Sequence, residues 1–145
     1  MPKPFVFKLE KVLEFRKQAE EQASMALAQA IHLHQEQKKV VFSVEAKIAQ
    51  HQRRQYDNLN ADEMWLWRQY NEALKADLNL AVNRMKQLAL NLQKCRTEAV
   101  AKSKDRKLLE KLKENQAKKY YEEENLKEQK EYDEMATIRY KPKDL

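Results

Sequence analysis

From residue 64 onward, apolar side chains recur at alternating steps of three and four. The series is Met64, Trp67, Asn71, Leu74, Leu78, Ala81, Met85, Leu88, Leu92, Cys95 and Ala99, and ten of these eleven residues are apolar. This is the heptad seam of a coiled coil, with Met64 and Leu78 at position a and Trp67 and Leu74 at position d. The exception, Asn71, is also at an a position, where a polar side chain fixes register at some cost in stability. The first half repeats the spacing less cleanly. Leu9, Val12, Leu13 and Phe15 open a stripe that Ala19, Ala23, Ala26, Ala30, Leu33, Val40, Val44 and Ile48 continue. The four small alanines let a partner helix come close. His34, Gln37 and His51 lie on or near this stripe and weaken it.

Between the two patterns lies "QYDNLNADEM", residues 55–64. Asn58 and Asn60 are poor helix-interior residues and good turn and cap residues. Asn60 at an N-cap places Glu63 at N3, a capping-box-like arrangement. Asp62 and Glu63 then fall in the first turn, where the helix dipole favours negative charge. The predicted fold is therefore all-α: one antiparallel two-helix coiled-coil hairpin over residues 1–145, with unequal arms. Helix 1 covers about 9–56, the turn about 57–61, and helix 2 about 61–139. The physical alternative, one continuous helix, leaves both apolar stripes bare unless it dimerises. In the hairpin, Ala19–Ala30 faces the region of Leu88, Leu92, Cys95 and Ala99, and Leu9–Leu13 faces Leu108, Leu109 and Leu112. Past Leu112 no first helix is left to pair with, and there "KENQAKKYYEEENLKEQK" (113–130) turns almost wholly polar. An overhang beyond about 113 is expected. At about 1.5 Å per residue the arms measure roughly 70 and 120 Å.

Composition strengthens this picture. Glycine is absent, and proline occurs only at 2, 4 and 142, so the strongest helix breakers are missing from the interior. Charged residues make up 36% of the chain, a composition of long helices. The net charge of +6 comes from 29 basic and 23 acidic side chains. A mixture of both signs marks solvated helix surfaces more than a nucleic-acid site. The overhang segregates its charge: residues 102–119 carry eight Lys/Arg against three acids, and 120–134 carry seven acids against two lysines. That segment is either a solvated helix or an electrostatic docking segment.

Little points to catalysis. Without glycine there is no phosphate-cradling glycine loop. His32, His34 and His51 have no metal-ligand spacing with Cys95 or a carboxylate pair, and no cofactor is expected. A two-helix hairpin offers no pocket to perturb the "EEE" run at 122–124. The single cysteine, Cys95, is a seam residue and cannot form an intrachain disulfide. "MPKPFVFKLEKVLEF" lacks the apolar core of a signal peptide, and no apolar run approaches the ~20 residues of a membrane span. Function is expected along the surfaces and at the ends. One such surface is legible in "ADEMWLWRQY" (61–70). Met64 and Trp67 fall on the seam, whereas Trp65 and Leu66 point away from helix 1 and Tyr70 flanks the seam. Trp65, Leu66 and Tyr70 are expected to expose an apolar strip for a partner.

The two ends of the chain carry a resemblance. "FVFKLEKVLEFRKQAEEQASMALAQA" (5–30) resembles the start of the flagellar FliJ family, where an aromatic-x-Leu-x-x-Val-Leu-x-x-Arg run opens a long helix. "DRKLLEKLKENQAKKYYEEENLKEQKEYDEMATIRY" (105–140) resembles the family's end, with Glu-Gln-Lys, Asp-Glu-x-Ala and a final Arg-Tyr. The resemblance implies a non-enzymatic stalk of the flagellar type III export apparatus, similar to the gamma subunit of rotary ATPases. It implies as partners the hexameric export ATPase FliI, the export gate protein FlhA and export chaperones. The implied setting is cytoplasmic, peripheral to the inner membrane, in flagellum biogenesis, motility and chemotaxis. Stalks of virulence-type secretion systems are similar. By resemblance, Tyr70 and Leu74 occupy the spacing of the gate contact, with Asp77 and Ala81 next; Asp77 departs from the family's small apolar type. The ATPase end is matched by Leu9, Val12, Leu13 and Arg16 together with Asp133, Glu134, Arg139 and Tyr140. Leu9, Val12 and Leu13 also have a purely structural reading, closing the coil against Leu109 and Leu112.

Overall fold

A computed structural model describes residues 3–54 and 59–140. Among them are two α-helices and no strand: α1, Glu10–Arg53, of 44 residues, and α2, Ala61–Arg139, of 79. They pack against each other, the all-α pair with one arm longer than the other that the apolar spacing predicts. Positions 57 and 58 of the expected reversal at 57–61 lie outside the described residues; Leu59 and Asn60 precede α2 without helical structure, and Ala61 begins it. The start of α2 is capped as its sequence requires. The Glu63 backbone N–H donates to Asn60 Oδ1 at 2.8 Å, and the Met64 N–H reaches the Asn60 carbonyl at 2.9 Å. The first contact satisfies a first-turn donor that has no partner inside the helix, and the second is the first bond of the helix itself, accepted by the N-cap carbonyl.

The chain divides into two compact units. The first combines Met1–Glu20 with Lys102–Leu145, and the second is Glu21–Ala101. In the second unit the helices run antiparallel: Gln37 Nε2 donates to the Ala81 carbonyl at 2.9 Å, and His51 lies against Trp67. The α2 side carries a regular seam. Asn71, Leu74, Ala81, Leu88 and Leu92 are buried, and Met64, Trp67, Leu78, Met85, Cys95 and Ala99 are half-buried.

The α1 side agrees with its apolar stripe at Ala23, Ala30, Val44 and Ile48 and departs from it by one position at three places, where Leu27, His34 and Val41 turn inward. Buried or half-buried residues recur at Ala23, Leu27, Ala30, His34, Gln37, Val41, Val44, Ile48 and His51. Ala26, Leu33 and Val40, expected inside, are exposed. The stripe was drawn to gather the most apolar residues, but burial follows the seam of α2. Opposite α2's larger side chains, α1 supplies polar residues that can use the room beside small ones; Gln37 reaches the main chain of Ala81 in this way.

The first unit is also antiparallel. Its apolar centre is small: Phe7, Leu13 and Leu109 are buried, with Phe5 packed against them. Leu13 is the only large side chain among the described residues that is fully buried, at 1% accessibility. Leu9 and Val12, expected on the seam with it, are 39% and 42% exposed. Phe7, which precedes the helix and so stands outside any helical period, takes the buried place. Charged contacts complete the unit. Lys113 pairs with Glu10 at 2.7 Å, Lys17 approaches Glu110 at 3.9 Å, and Arg106 joins both Glu110, at 2.6 Å, and Glu20. The hydrogen bond to Glu20 is the main reason the Arg106 guanidinium pKa is raised above its ordinary value. Contacts to α2 persist past the expected start of the overhang at 113. The Tyr120 hydroxyl donates to the Lys3 carbonyl, and its ring lies 5.7 Å from that of Phe5. The aromatic pair Phe5 and Phe7 extends the cover that α1 alone would have ended.

Candidate functional site

Each unit presents one candidate surface. In the second unit, the start of α2 is set by the Asn60 cap, which fixes the phase of everything after it. That phase turns Trp67 inward and leaves Trp65 (61%), Leu66 (61%) and Tyr70 (51%) exposed. Beside them is a pocket of about 420 Å³ whose lining includes His51, Arg54, Glu63, Leu66, Trp67 and Tyr70. His51 organises its floor. The imidazole is buried, stacks on Trp67 with ring centres 4.7 Å apart at 16°, and meets Tyr70 edge-on at 4.7 Å and 72°. Its Nε2 stands 3.2 Å from the Trp67 carbonyl, a hydrogen bond in the tautomer that carries its proton there. Tyr70 is thus half surface, half wall. Leu74 and Ala81, which the family resemblance groups with Tyr70, are buried at 5% and 8%. In this chain alone they belong to the helix pair and offer no surface.

In the first unit the candidates separate. Arg16 is half-buried, and its Nη1 donates to the Asp105 carbonyl at 2.9 Å, so it already has work inside the unit. Asp133, Glu134 and Arg139 are exposed on the last turns of α2, and Tyr140 is exposed just beyond its end. No contact joins them to Arg16 among the described residues. They neighbour an acidic and apolar groove of about 430 Å³ lined by Glu128, Glu131, Tyr132, Glu134, Met135 and Ile138. Tyr132 and Ile138 are exposed at 69% and 82%, which leaves a large apolar area open between carboxylates. From sequence, this end is marked by its charged residues and Tyr140 but not by the apolar side chains between them. Its signal was the spacing of Tyr132, Met135 and Ile138, three residues apart on one side of the helix.

Neither surface gathers reactive groups. Among the described residues no three His, Cys, Asp or Glu side chains converge as a metal site, and no helix is long and apolar enough to cross a membrane. Cys95 is a free, half-buried seam residue. What the fold defines is a helical-pair protein with apolar and charged strips exposed along its surface.

A family model described as "Flagellar FliJ protein" matches residues 5–144, nearly the whole chain, and the chain belongs to that family. It is thereby a protein related to flagellar type III export. No curated protein and no solved structure matches it significantly.

Proposed function

We propose that the chain is the stalk of a type III export ATPase, one end entering the hexameric ring of FliI and the other surface engaging the gate protein FlhA. The observation that carries this reading is the family match over residues 5–144. Two features of the structure support it. Trp65, Leu66 and Tyr70 form an exposed apolar strip suited to a protein partner. The end of α2 displays Asp133, Glu134, Arg139 and Tyr140, whose mixed charge suits an electrostatically guided insertion. Leu74 and Ala81 hold the gate strip from beneath, and Arg16 braces the ATPase end by tying α1 to α2 through Asp105. Handling of export chaperones and a cytoplasmic place at the inner membrane accompany this role.

The test is ATP hydrolysis by the cognate export ATPase with and without the purified chain. Stimulation that is lost when Asp133, Glu134 and Arg139 are replaced by alanine supports the stalk. Absence of both stimulation and ring contact at low salt rejects it and leaves a generic coiled-coil scaffold. A virulence-type stalk would have the same architecture, and the ATPase that responds, flagellar or virulence-type, distinguishes the two.

A further inference from the structure

Opposite the face of α2 that packs on α1 in the first unit runs a second stripe with strict alternating spacing. Its first half holds Lys104, Lys107, Lys111 and Lys118, interrupted only by Glu114. Its second half holds Tyr121, Glu128, Tyr132 and Met135, with Asn125 between. Threes and fours throughout put these side chains on one side of the helix. All are exposed except Glu128, which is half-buried, and Leu108 flanks the stripe at 67% exposure.

A face that served only to hold the helix in water would mix the two signs at spacings of three and four. This one gathers its lysines in one half and leaves Glu128, flanked by Glu122 and Asp133, in the other. Lys107 and Lys111 are like charges four apart, and such a pair weakens a helix. Among the described residues, Lys104, Lys107, Lys111 and Lys118 enter no ion pair, nor do Glu128, Glu131, Asp133 and Glu134. Among the described residues, the ion pair in the acidic stretch is Lys127 with Glu124.

A lysine-rich half followed by a half of tyrosine and methionine that carries Glu128 and the flanking Asp133 is complementary to itself when reversed. We infer that α2 pairs antiparallel with α2 of a second copy of this chain through this outward face. The two-fold axis passes between Lys119 and Tyr120. This operation sets Lys111 against Glu128, Lys107 against Tyr132 and its neighbour Asp133, Lys118 against Tyr121, and Lys104 against Met135. Every pairing occurs twice, as a two-fold interface requires. Lysine stems lie along the tyrosine rings and keep their ammonium groups in water beside carboxylates. The face that meets α1 is untouched, so both helix pairs coexist. The contact spans about 45 Å of helix and is more charged than apolar, which makes it reversible and salt-sensitive. The inference does not depend on the export reading.

The experiment uses the full chain in sedimentation equilibrium. A dimer is expected at about 20 mM salt, with its dissociation constant rising at least about tenfold at about 500 mM. Two charge-reversed variants decide the geometry: Lys107→Glu with Lys111→Glu, and Glu128→Lys with Asp133→Lys. Each alone should be monomeric with helical circular dichroism intact, and an equimolar mixture should form a heterodimer. A chain that stays monomeric at about 200 µM in low salt overturns the inference. So does a dimer that survives both variants, or a mixture that fails to associate.

Discussion

Leu13→Ala is the substitution that most directly tests how the first unit is held. Leu13 is 1% exposed and lies in a cluster with Phe7, Leu109 and Phe5. The change removes three buried carbons, worth about 0.8 kcal/mol each in transfer, or about 2.4 kcal/mol. The cavity left behind adds to this, and buried leucines generally cost about 2–5 kcal/mol when cut to alanine. About 3 kcal/mol is expected. Leu9→Ala and Val12→Ala start from side chains 39% and 42% exposed, remove less buried carbon, and should each cost under about 1 kcal/mol. With two compact units, global unfolding need not be a single step, so the local measurement is the more telling one. Native-state hydrogen exchange should show amides of residues 10–20 losing about a hundredfold protection in Leu13→Ala, against less than about fivefold in the other two variants. The seam drawn from the sequence put all three residues together. If Val12→Ala loosens the segment as much as Leu13→Ala, Val12 shares the seam with Leu13 and the reasoning from burial fails.

Three further changes probe the second unit. Asn60→Ala removes the acceptor of the Glu63 N–H and should lower stability by about 1 kcal/mol in thermal melts, while Asn60→Asp should retain it. Asn71 is buried, and its Oδ1 has no hydrogen-bond partner among the described residues; Asn71→Leu should raise the urea midpoint, by about 1–2 kcal/mol in stability, and a lowered midpoint would show that the amide is satisfied. Trp65→Ala with Tyr70→Ala should weaken binding of the gate protein at least tenfold, on the usual ~1–2 kcal/mol per interfacial aromatic, with helix content unchanged; loss of helix instead would identify these rings as core.

Much of α2 was legible because its pattern is redundant. Eleven positions in strict heptad spacing outvote a single polar Asn71, and the Asn60 cap marks where the count begins. The first helix had no such redundancy. Leu33 lies next to His34, and Val40 lies next to Val41, so a stripe one position off scores as well or better for hydrophobicity. Only the partner decides, and the partner's geometry is not written in the first helix. His51 shows the same limit. Its ring stacks on Trp67 and walls a pocket, a role that depends on two residues about a helical length apart in sequence being brought side by side. Phe7 escaped because helical periodicity says nothing about a residue before the helix. The exposed strip Trp65–Leu66–Tyr70 was visible because phase alone decides it: once Trp67 faces inward, Trp65 and Leu66 cannot.

The phase of α1 also bears on what the molecule can offer. Had Leu33 and Val40 been buried, the helix pair would have used most of its apolar side chains on itself. Instead the seam accepts His34, Gln37 and His51, and in the first unit Glu20 against Arg106, and each polar position needs one particular mate. A slip by a heptad would move Gln37 from the Ala81 carbonyl and Glu20 from Arg106, leaving half-buried polar groups without partners. Register is therefore specified by pairing more than by bulk, at some cost in stability. The apolar side chains released from the seam, Val12, Leu33 and Val40, stand exposed along with Trp65, Leu66 and Tyr132. In the stalk proposed above, a fixed register with apolar groups left outside would leave surface for partners. Self-pairing and ring entry, both proposed for the end of α2, compete: a helix end paired with a second copy would not be free to enter an ATPase ring, and added ATPase should dissociate the dimer.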